Sequence, residues 1–114
     1  MDLRQRIKDA NDLPLTPVVC KTWDLTLYVR TMKGSERDEF EHFASKATRK
    51  KDNRGMKLEL VMLTACDDAG ELVFTNEDRE WLPGKSAVEL DRIANAALAA
   101  NGFSDKDVED LEKN

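Results

Sequence analysis

The chain has 114 residues, the length of one ordinary domain, which predicts a single domain over residues 1–114. Its net charge of −5 argues against general binding to nucleic acid or to membrane surfaces, because both need a positive field. No apolar run approaches the roughly 20 residues of a membrane span, and "MDLRQRIKDANDLP" lacks the apolar segment of a signal peptide. Cys20 and Cys66 fit no metal or redox spacing. We therefore expect a cytosolic protein with two reduced thiols.

The N-terminal segment combines a helical and an extended pattern. Apolar residues at helical spacing predict a short helix over residues 3–10. Pro14 and Pro17 then favour an extended linker, because each proline disfavours helix in the residue before it. The expected organisation is an N-terminal arm (short helix plus linker) over residues 1–16 and a globular core over residues 17–112.

A β-hairpin is predicted next, because "VVCKTWDLTLYVRTM" is rich in β-branched and aromatic residues. From residue 25 to residue 30, the apolar residues Leu25, Leu27 and Val29 alternate with Thr26, Tyr28 and Arg30. This alternation is typical of a half-buried strand. We expect the hairpin to pack against two helices predicted further along the chain, at residues 36–49 and 87–100. The predicted pairing is residues 18–22 with residues 25–31, through a turn near Trp23 and Asp24.

Four helix starts share one capping pattern, in which a hydroxyl residue is followed three positions later by an acidic one. The pairs are Ser35 with Asp38, Thr75 with Asp78, Ser86 with Glu89, and Ser104 with Asp107. Asn101 and Gly102 are expected to end the third of these helices, with Phe103 packing back over that end. The predicted helices cover residues 36–49, 76–82, 87–100 and 105–112.

The segment "MKLELVMLTAC", residues 56–66, supports two interpretations. Its alternation suggests a strand, but Val61 and Leu63 interrupt the apolar face. A segment this rich in Leu and Met fits a buried helix better. The predicted fold class is therefore α+β, mainly α-helical with an N-terminal antiparallel β-hairpin or small sheet.

The sequence contains no pattern of residues that is typical of a catalytic site. His42, the only histidine, lies between Phe40 and Phe43 in sequence but points away from their shared helix face. No serine or cysteine stands in a nucleophile arrangement, and the five glycines are spread singly rather than in a phosphate-binding loop. We therefore predict a protein that is not an enzyme and that has no cofactor and no metal site.

Two groups of residues are candidates for protein contacts. The basic cluster between Lys46 and Lys57 is either a solvated loop that complements the end of the preceding helix, or a patch for an acidic partner or a nucleic acid. Trp23 and Trp81 border turns or helix ends, so each either closes the core or anchors an interface. The candidate interaction residues are Trp23, Tyr28, Arg49, Lys50, Lys51, Arg54 and Trp81.

Three stretches, in order along the chain, carry a resemblance to a known family. "LYVRTMKGSERDEFE" combines a strand, a glycine-centred turn and a helix start. "LVMLTACDDAGELVFTNEDREWL" places an acidic turn between an apolar segment and a short helix, and "GKSAVELDRIANAALAANGFS" is a helix with an Asn-Gly end. These stretches resemble the tail assembly chaperones of long-tailed bacteriophages, and the resemblance covers roughly residues 13–112. The chain departs from that pattern at "KTWD", where Asp24 stands in place of an expected glycine.

The resemblance implies a function that composition does not show. Such chaperones bind the tape-measure protein, keep it soluble and extended, and help tail-tube subunits polymerise around it. They act in the cytoplasm of the host bacterium, commonly self-associate, and are absent from the mature virion. A longer form is often made by translational frameshifting near the end of the reading frame; "EKN" is compatible with an A-rich slippery sequence, and the extension is expected to recruit the tail-tube protein. The alternative is a small virion structural protein of the phage tail or head–tail junction.

Overall fold

The architecture is a small antiparallel sheet with helices packed against it. The computed structural model describes residues 2–51 and 55–103. The strands are β1 Leu15–Cys20, β2 Leu25–Arg30 and β3 Ala65–Cys66, in the spatial order β1-β2-β3. The helices are α1 Leu3–Asp9, α2 Gly34–Lys50, α3 Met56–Thr64 and α4 Ala87–Ala100, with two 3-10 turns at Asn76–Glu80 and Leu82–Gly84. The predicted fold class, mainly helical with an N-terminal hairpin, is confirmed.

The hairpin begins at Leu15 rather than at residue 18, because β1 accommodates Pro17. Thr31 donates its N–H to the Pro14 carbonyl at 3.4 Å, and pairing continues in register from Leu15 opposite Arg30. In this alternation the backbone nitrogen of residue 17 points away from β2, so the missing proline N–H removes no bond of the ladder. Part of the segment that was predicted to be linker is therefore strand.

A tight turn over residues 21–24 joins β1 to β2; it includes the predicted Trp23 and Asp24, but β1 ends at Cys20 and not at residue 22. Asp24 donates its N–H to the Lys21 carbonyl at 3.2 Å and has a φ of 54°. Asp tolerates this left-handed conformation better than most residues other than glycine. The position at which the family pattern has glycine therefore has a backbone conformation that glycine favours.

The hydrophobic core lies between one face of the hairpin and the helices α3 and α4. Val18 and Leu27 are paired across the hairpin and are buried, as is Val29 beside them. Helix α4 packs against both β1 and β2, with Ile93 and Ala97 fully buried. The predicted packing of the hairpin on this helix is confirmed. Helix α2, which was also expected to lie on the hairpin, packs mainly against α3, because α3 and α4 cover the sheet.

The start of α2 differs from the predicted capping pair. The helix begins at Gly34, so Ser35 is already inside it and does not serve as the cap. Glu36 has this role instead, because its Oε1 accepts the Lys33 N–H at 2.9 Å. Its Oε2 accepts from the Nη2 of the buried Arg30 at 2.7 Å. A tertiary ion pair therefore selects the first residue of this helix.

Two of the other predicted caps are present. Thr75 donates its N–H to Asp78 Oδ2 at 2.7 Å, although the segment that follows forms two 3-10 turns instead of an α-helix. Ser86 Oγ accepts the Glu89 N–H at 3.4 Å at the start of α4. The Glu89 carboxylate does not reach back to the cap; it is fully buried, with Oε1 3.1 Å from Arg92 Nη1. The predicted cap Ser104–Asp107 and the predicted helix 105–112 lie outside the described residues.

The ambiguous segment 56–66 is a helix over most of its length, as favoured from its composition. Helix α3 covers Met56–Thr64, and Thr64 Oγ1 donates back to the Leu60 carbonyl at 2.7 Å. The last two residues, Ala65–Cys66, leave the helix and pair with β2 as β3. The third strand was not predicted, because two residues are too few to show a period.

The end of α4 is as predicted. Gly102 has a φ of 74°, and Phe103 donates its N–H to the Leu98 carbonyl at 3.1 Å. The Phe103 ring then packs edge-on against Phe40 of α2, with ring centroids 5.9 Å apart. Arg37 covers the same ring, with its guanidinium carbon 4.1 Å from the centroid. The C-terminal end of α4 is thereby attached to the first half of α2.

Candidate protein-interaction groove

Three of the candidate interaction residues line one groove. Trp23 comes from the hairpin turn, Tyr28 from β2, and Trp81 from the junction of the two 3-10 turns. The groove has a volume of about 670 Å³. Pockets of about 300–1,000 Å³ typically enclose a drug-sized ligand. The space is therefore large enough for several apolar side chains of a partner.

The groove lies where the third strand stops. β3 pairs with β2 at Tyr28 and Val29 only, so no strand of the described chain covers this side of β2 at Thr26. Asp67 turns the chain away, because its Oδ1 accepts the N–H groups of Ala69 and Glu71 at 2.9 and 3.0 Å. The hydrogen-bonded turn that ends β3 thereby leaves the space beside β2 open.

The opposite wall is held in place by Asp78. Its Oδ1 accepts the indole N–H of Trp81 at 2.9 Å, while its Oδ2 accepts the Thr75 N–H. The Trp81 ring also packs edge-to-face on Phe74, with centroids 6.1 Å apart. These contacts fix the tryptophan in an orientation that leaves 47% of it exposed. A pre-oriented, half-exposed Trp is the kind of anchor that is enriched at protein interfaces.

The floor of the groove is buried and its walls are exposed and apolar. Leu82 closes the floor, whereas Leu25 and Val73 are each 47% exposed, as is Trp81. The charged residues that line it are Asp67, Asp68 and Lys85, so carboxylates outnumber the single ammonium. This arrangement suits an apolar segment that carries basic side chains.

The basic cluster is separate from the groove. Arg49, Lys50 and Lys51 are exposed at the C-terminal end of α2, which contributes no residue to the groove. Lys51 ends the helix in the left-handed conformation, with φ 55°, and donates its N–H to the Ala47 and Thr48 carbonyls. Basic residues in this place complement the negative end of the helix dipole. Arg54 lies outside the described residues.

The two thiols and the histidine have the environments expected from the sequence: the cysteines are reduced, and the histidine lies on the surface. Cys20 and Cys66 are free and fully buried, and His42 is exposed on α2. Burial raises the pKa of the Cys20 thiol, with a further increase from Glu89 and an opposing effect of Arg92. Burial likewise raises the pKa of the Cys66 thiol, against the effect of Arg30 and with that of Asp67. Thiols of this kind are protonated at neutral pH and are weak nucleophiles.

Neither a metal-binding group of side chains nor a helix able to cross a membrane is present in the part of the chain that the structure describes. No group of three His, Cys, Asp or Glu side chains in residues 2–51 and 55–103 is arranged to hold a metal ion. Within the same ranges no helix combines the length and the apolar character needed to cross a membrane.

Several groove residues were not predicted. Leu25 was expected in the core with the other apolar residues of its strand, and Val73 and Phe74 lie in a short extended segment without a period. The sequence identified Trp23, Tyr28 and Trp81, the two tryptophans because they border turns, but not their apolar neighbours. The rest of the groove depends on tertiary structure.

Comparison with known proteins shows a similarity of fold. No family model matches the chain, and no curated protein matches it in sequence. Among solved structures, the bacteriophage HK97 tail assembly chaperone superposes with a TM-score of 0.62 and 17% sequence identity. The match covers 90% of this chain and 96% of the HK97 chain. The fold is that of a phage tail assembly chaperone. The structural part of the family resemblance is thereby confirmed.

Proposed function

We propose that this protein is a phage tail assembly chaperone that binds the tape-measure protein, keeps it soluble and promotes tail-tube polymerisation around it. The observation that carries the proposal is the similarity of the fold to the HK97 chaperone over 90% of the chain. A match over nearly the full length of both chains concerns the whole domain and not one common motif. The protein acts in the cytoplasm of the host bacterium and leaves before the virion is complete.

The groove is the surface proposed to hold the client. Leu25, Val73 and Trp81 offer a half-exposed apolar wall, and the pre-oriented indole needs no ordering when it binds. An amphipathic helical segment of a client that is not yet packed inside the tube would dock in such a groove by its apolar face. Basic residues next to such a segment are attracted to Asp67 and Asp68. The protein acts by binding and release, and no catalytic step is required.

Two further contacts complete the proposal. The basic end of α2, with Arg49, Lys50 and Lys51 exposed, is a second interaction surface for an acidic partner. A longer, frameshifted form of the chain recruits the tail-tube protein while the common domain holds the tape-measure protein. The coding DNA tests this last point, because a frameshift requires a slippery heptamer and an overlapping downstream frame.

Mass spectrometry of purified virions, combined with deletion of the gene, tests the proposed function. A chaperone is absent from the particles, and its deletion stops tail formation while heads still assemble. A virion structural protein, the alternative role, is present in every particle in a fixed number. Detection of the chain at a constant stoichiometry in mature virions would refute the chaperone proposal.

A further inference from the structure

Helix α1 and the groove are two exposed apolar surfaces of one chain. Leu3 and Ile7 of α1 are 72% and 71% exposed, and none of the residues of this helix is buried. In the groove, Val73 and Trp81 are each 47% exposed. Within the described residues, the apolar side of α1 therefore has no surface to pack on, and the groove has no segment that fills it.

The shortness of α1 makes a packing partner necessary. The helix has seven residues, and isolated helices shorter than about 12–15 residues are marginal in water. Its own stabilising contacts are local: Asp2 Oδ1 accepts the Gln5 N–H at 2.8 Å, and Gln5 Nε2 donates to Asp9 Oδ1 at 3.0 Å. Most helices in proteins are stabilised by burial of an apolar face, and residues 2–51 and 55–103 provide no such burial for this helix.

The charges on the two surfaces are complementary. Arg4 and Lys8 each follow an apolar residue of α1 by one position, and Arg6 precedes Ile7, so basic side chains flank the apolar stripe on both sides. The groove is lined by two carboxylates, Asp67 and Asp68, and by one ammonium group, Lys85. A basic amphipathic helix is the type of segment that an acidic apolar groove attracts.

The point at which the arm joins the domain lies beside the groove. Leu13 and Pro14, which precede β1, share a cleft with Asp68 and Gly70 of the acidic turn, and Asp68 also lines the groove. None of the residues of helix α1 is buried, so its apolar side is not covered by the described part of the chain. The arm thus starts near the groove of its own chain and leaves that groove accessible to another molecule.

We propose that α1 of one copy occupies the groove of a second copy, with Leu3 and Ile7 against Val73 and Trp81. Reciprocal exchange of the arms closes a two-fold dimer in which both apolar surfaces are covered. The dimer itself does not depend on the role in tail assembly. One consequence does rest on the proposed function: the arm and the tape-measure segment use the same groove, so client binding displaces the arm.

Sedimentation velocity of the full chain over a wide concentration range tests the contact. The wild-type protein is expected to convert from monomer to dimer as concentration rises. The variants Leu3→Asp with Ile7→Asp, and separately Val73→Asp, are expected to raise the dissociation constant of the dimer at least about tenfold. Val88→Asp is the matched control, because Val88 is 62% exposed on α4 and lies outside the groove. Far-UV circular dichroism verifies that each variant is folded.

A mixing experiment makes the test specific. The arm variant has an intact groove and the Val73→Asp variant has an intact arm, so a mixture of the two is expected to associate where each alone does not. A wild-type chain that stays monomeric, an equal effect of Val88→Asp, or no association in the mixture would each overturn the proposal. So would protection of the α1 amides in hydrogen exchange that is independent of concentration, since that places the arm in its own groove. A wild-type chain that stays monomeric but retains the tape-measure protein refutes the arm contact alone; a wild-type dimer that retains no tape-measure protein refutes only the proposed function.

Discussion

Removing the Glu36 carboxylate tests whether a tertiary ion pair sets the start of α2. Glu36 Oε2 lies 2.7 Å from Arg30 Nη2, with the two side chains only 15% and 10% exposed, and Oε1 accepts the Lys33 N–H at 2.9 Å. Loss of a helix cap costs about 1 kcal/mol, and loss of a hydrogen bond between charged groups costs roughly 1.5–3 kcal/mol. Glu36→Ala is therefore expected to lower the free energy of unfolding by about 3 kcal/mol.

Urea denaturation and thermal melting followed by circular dichroism measure this change. The corresponding decrease in Tm is about 12 °C, at about 4 °C for each kcal/mol in a domain of this size. Glu41→Ala is the control, because Glu41 also pairs with an arginine on α2, Arg37 at 2.9 Å, but is 60% exposed. That substitution is expected to cost at most about 0.5 kcal/mol. Glu36→Gln, which keeps an acceptor oxygen, is expected to fall between the two. Equal effects of Glu36→Ala and Glu41→Ala would refute the reasoning that burial of the pair decides its contribution.

Two further predictions concern the core and the buried thiols. Ile93→Ala is expected to destabilise the fold by about 2–5 kcal/mol because Ile93 is fully buried, and Leu90→Ala by less because Leu90 is half-buried; equal urea midpoints for the two variants would contradict this. Because the native pKa values of Cys20 and Cys66 are raised, their contribution to stability is complete below the unfolded thiol pKa of about 8.5 and is lost as pH rises through the native values. The free energy of unfolding is therefore expected to fall between pH 8 and pH 10, and the double variant Cys20→Ala, Cys66→Ala is expected to lose that part of the slope; an unchanged slope in the variant would contradict the assignment.

Helix α4 shows how much of the fold local pattern can predict. Its cap is the hydroxyl of Ser86, its buried stripe includes Ile93 and Ala97, and it ends at Asn101 and Gly102. Each of these features depends on residues within about one turn of the helix, so a single sequence contains the relevant information. The same is true of the hairpin turn, where Asp24 adopts the left-handed backbone.

The start of α2 shows why a similar local pattern can fail. Ser35 and Asp38 have the same spacing as Ser86 and Glu89, with Asp as a weaker partner than Glu. Arg30 decides against them: its Nη1 donates to the Gly70 carbonyl at 2.7 Å, which leaves Nη2 directed at Glu36. A contact with a turn forty residues away along the chain is not visible in local spacing.

Three of the groove residues, Trp23, Tyr28 and Trp81, were predicted as interaction residues. The two tryptophans were singled out because they border turns, but the groove that all three line depends on where β3 stops, and the Asp67 turn determines that. Leu25 was predicted to be buried because alternation places it with Leu27, yet it is 47% exposed where the groove opens beside β2. Alternation predicts which face a residue lies on, and only the tertiary structure determines whether that face is covered.

Co-expression with the tape-measure protein of the same phage tests the central claim most directly. The measurement is the fraction of tape-measure protein that stays soluble and co-purifies with the chain. Wild type, the Val88→Asp control and the arm variant Leu3→Asp, Ile7→Asp are expected to retain it, whereas Val73→Asp is expected to lose most of it. Insoluble tape-measure protein in the presence of the wild-type chain, or equal retention by Val73→Asp and Val88→Asp, would contradict the account.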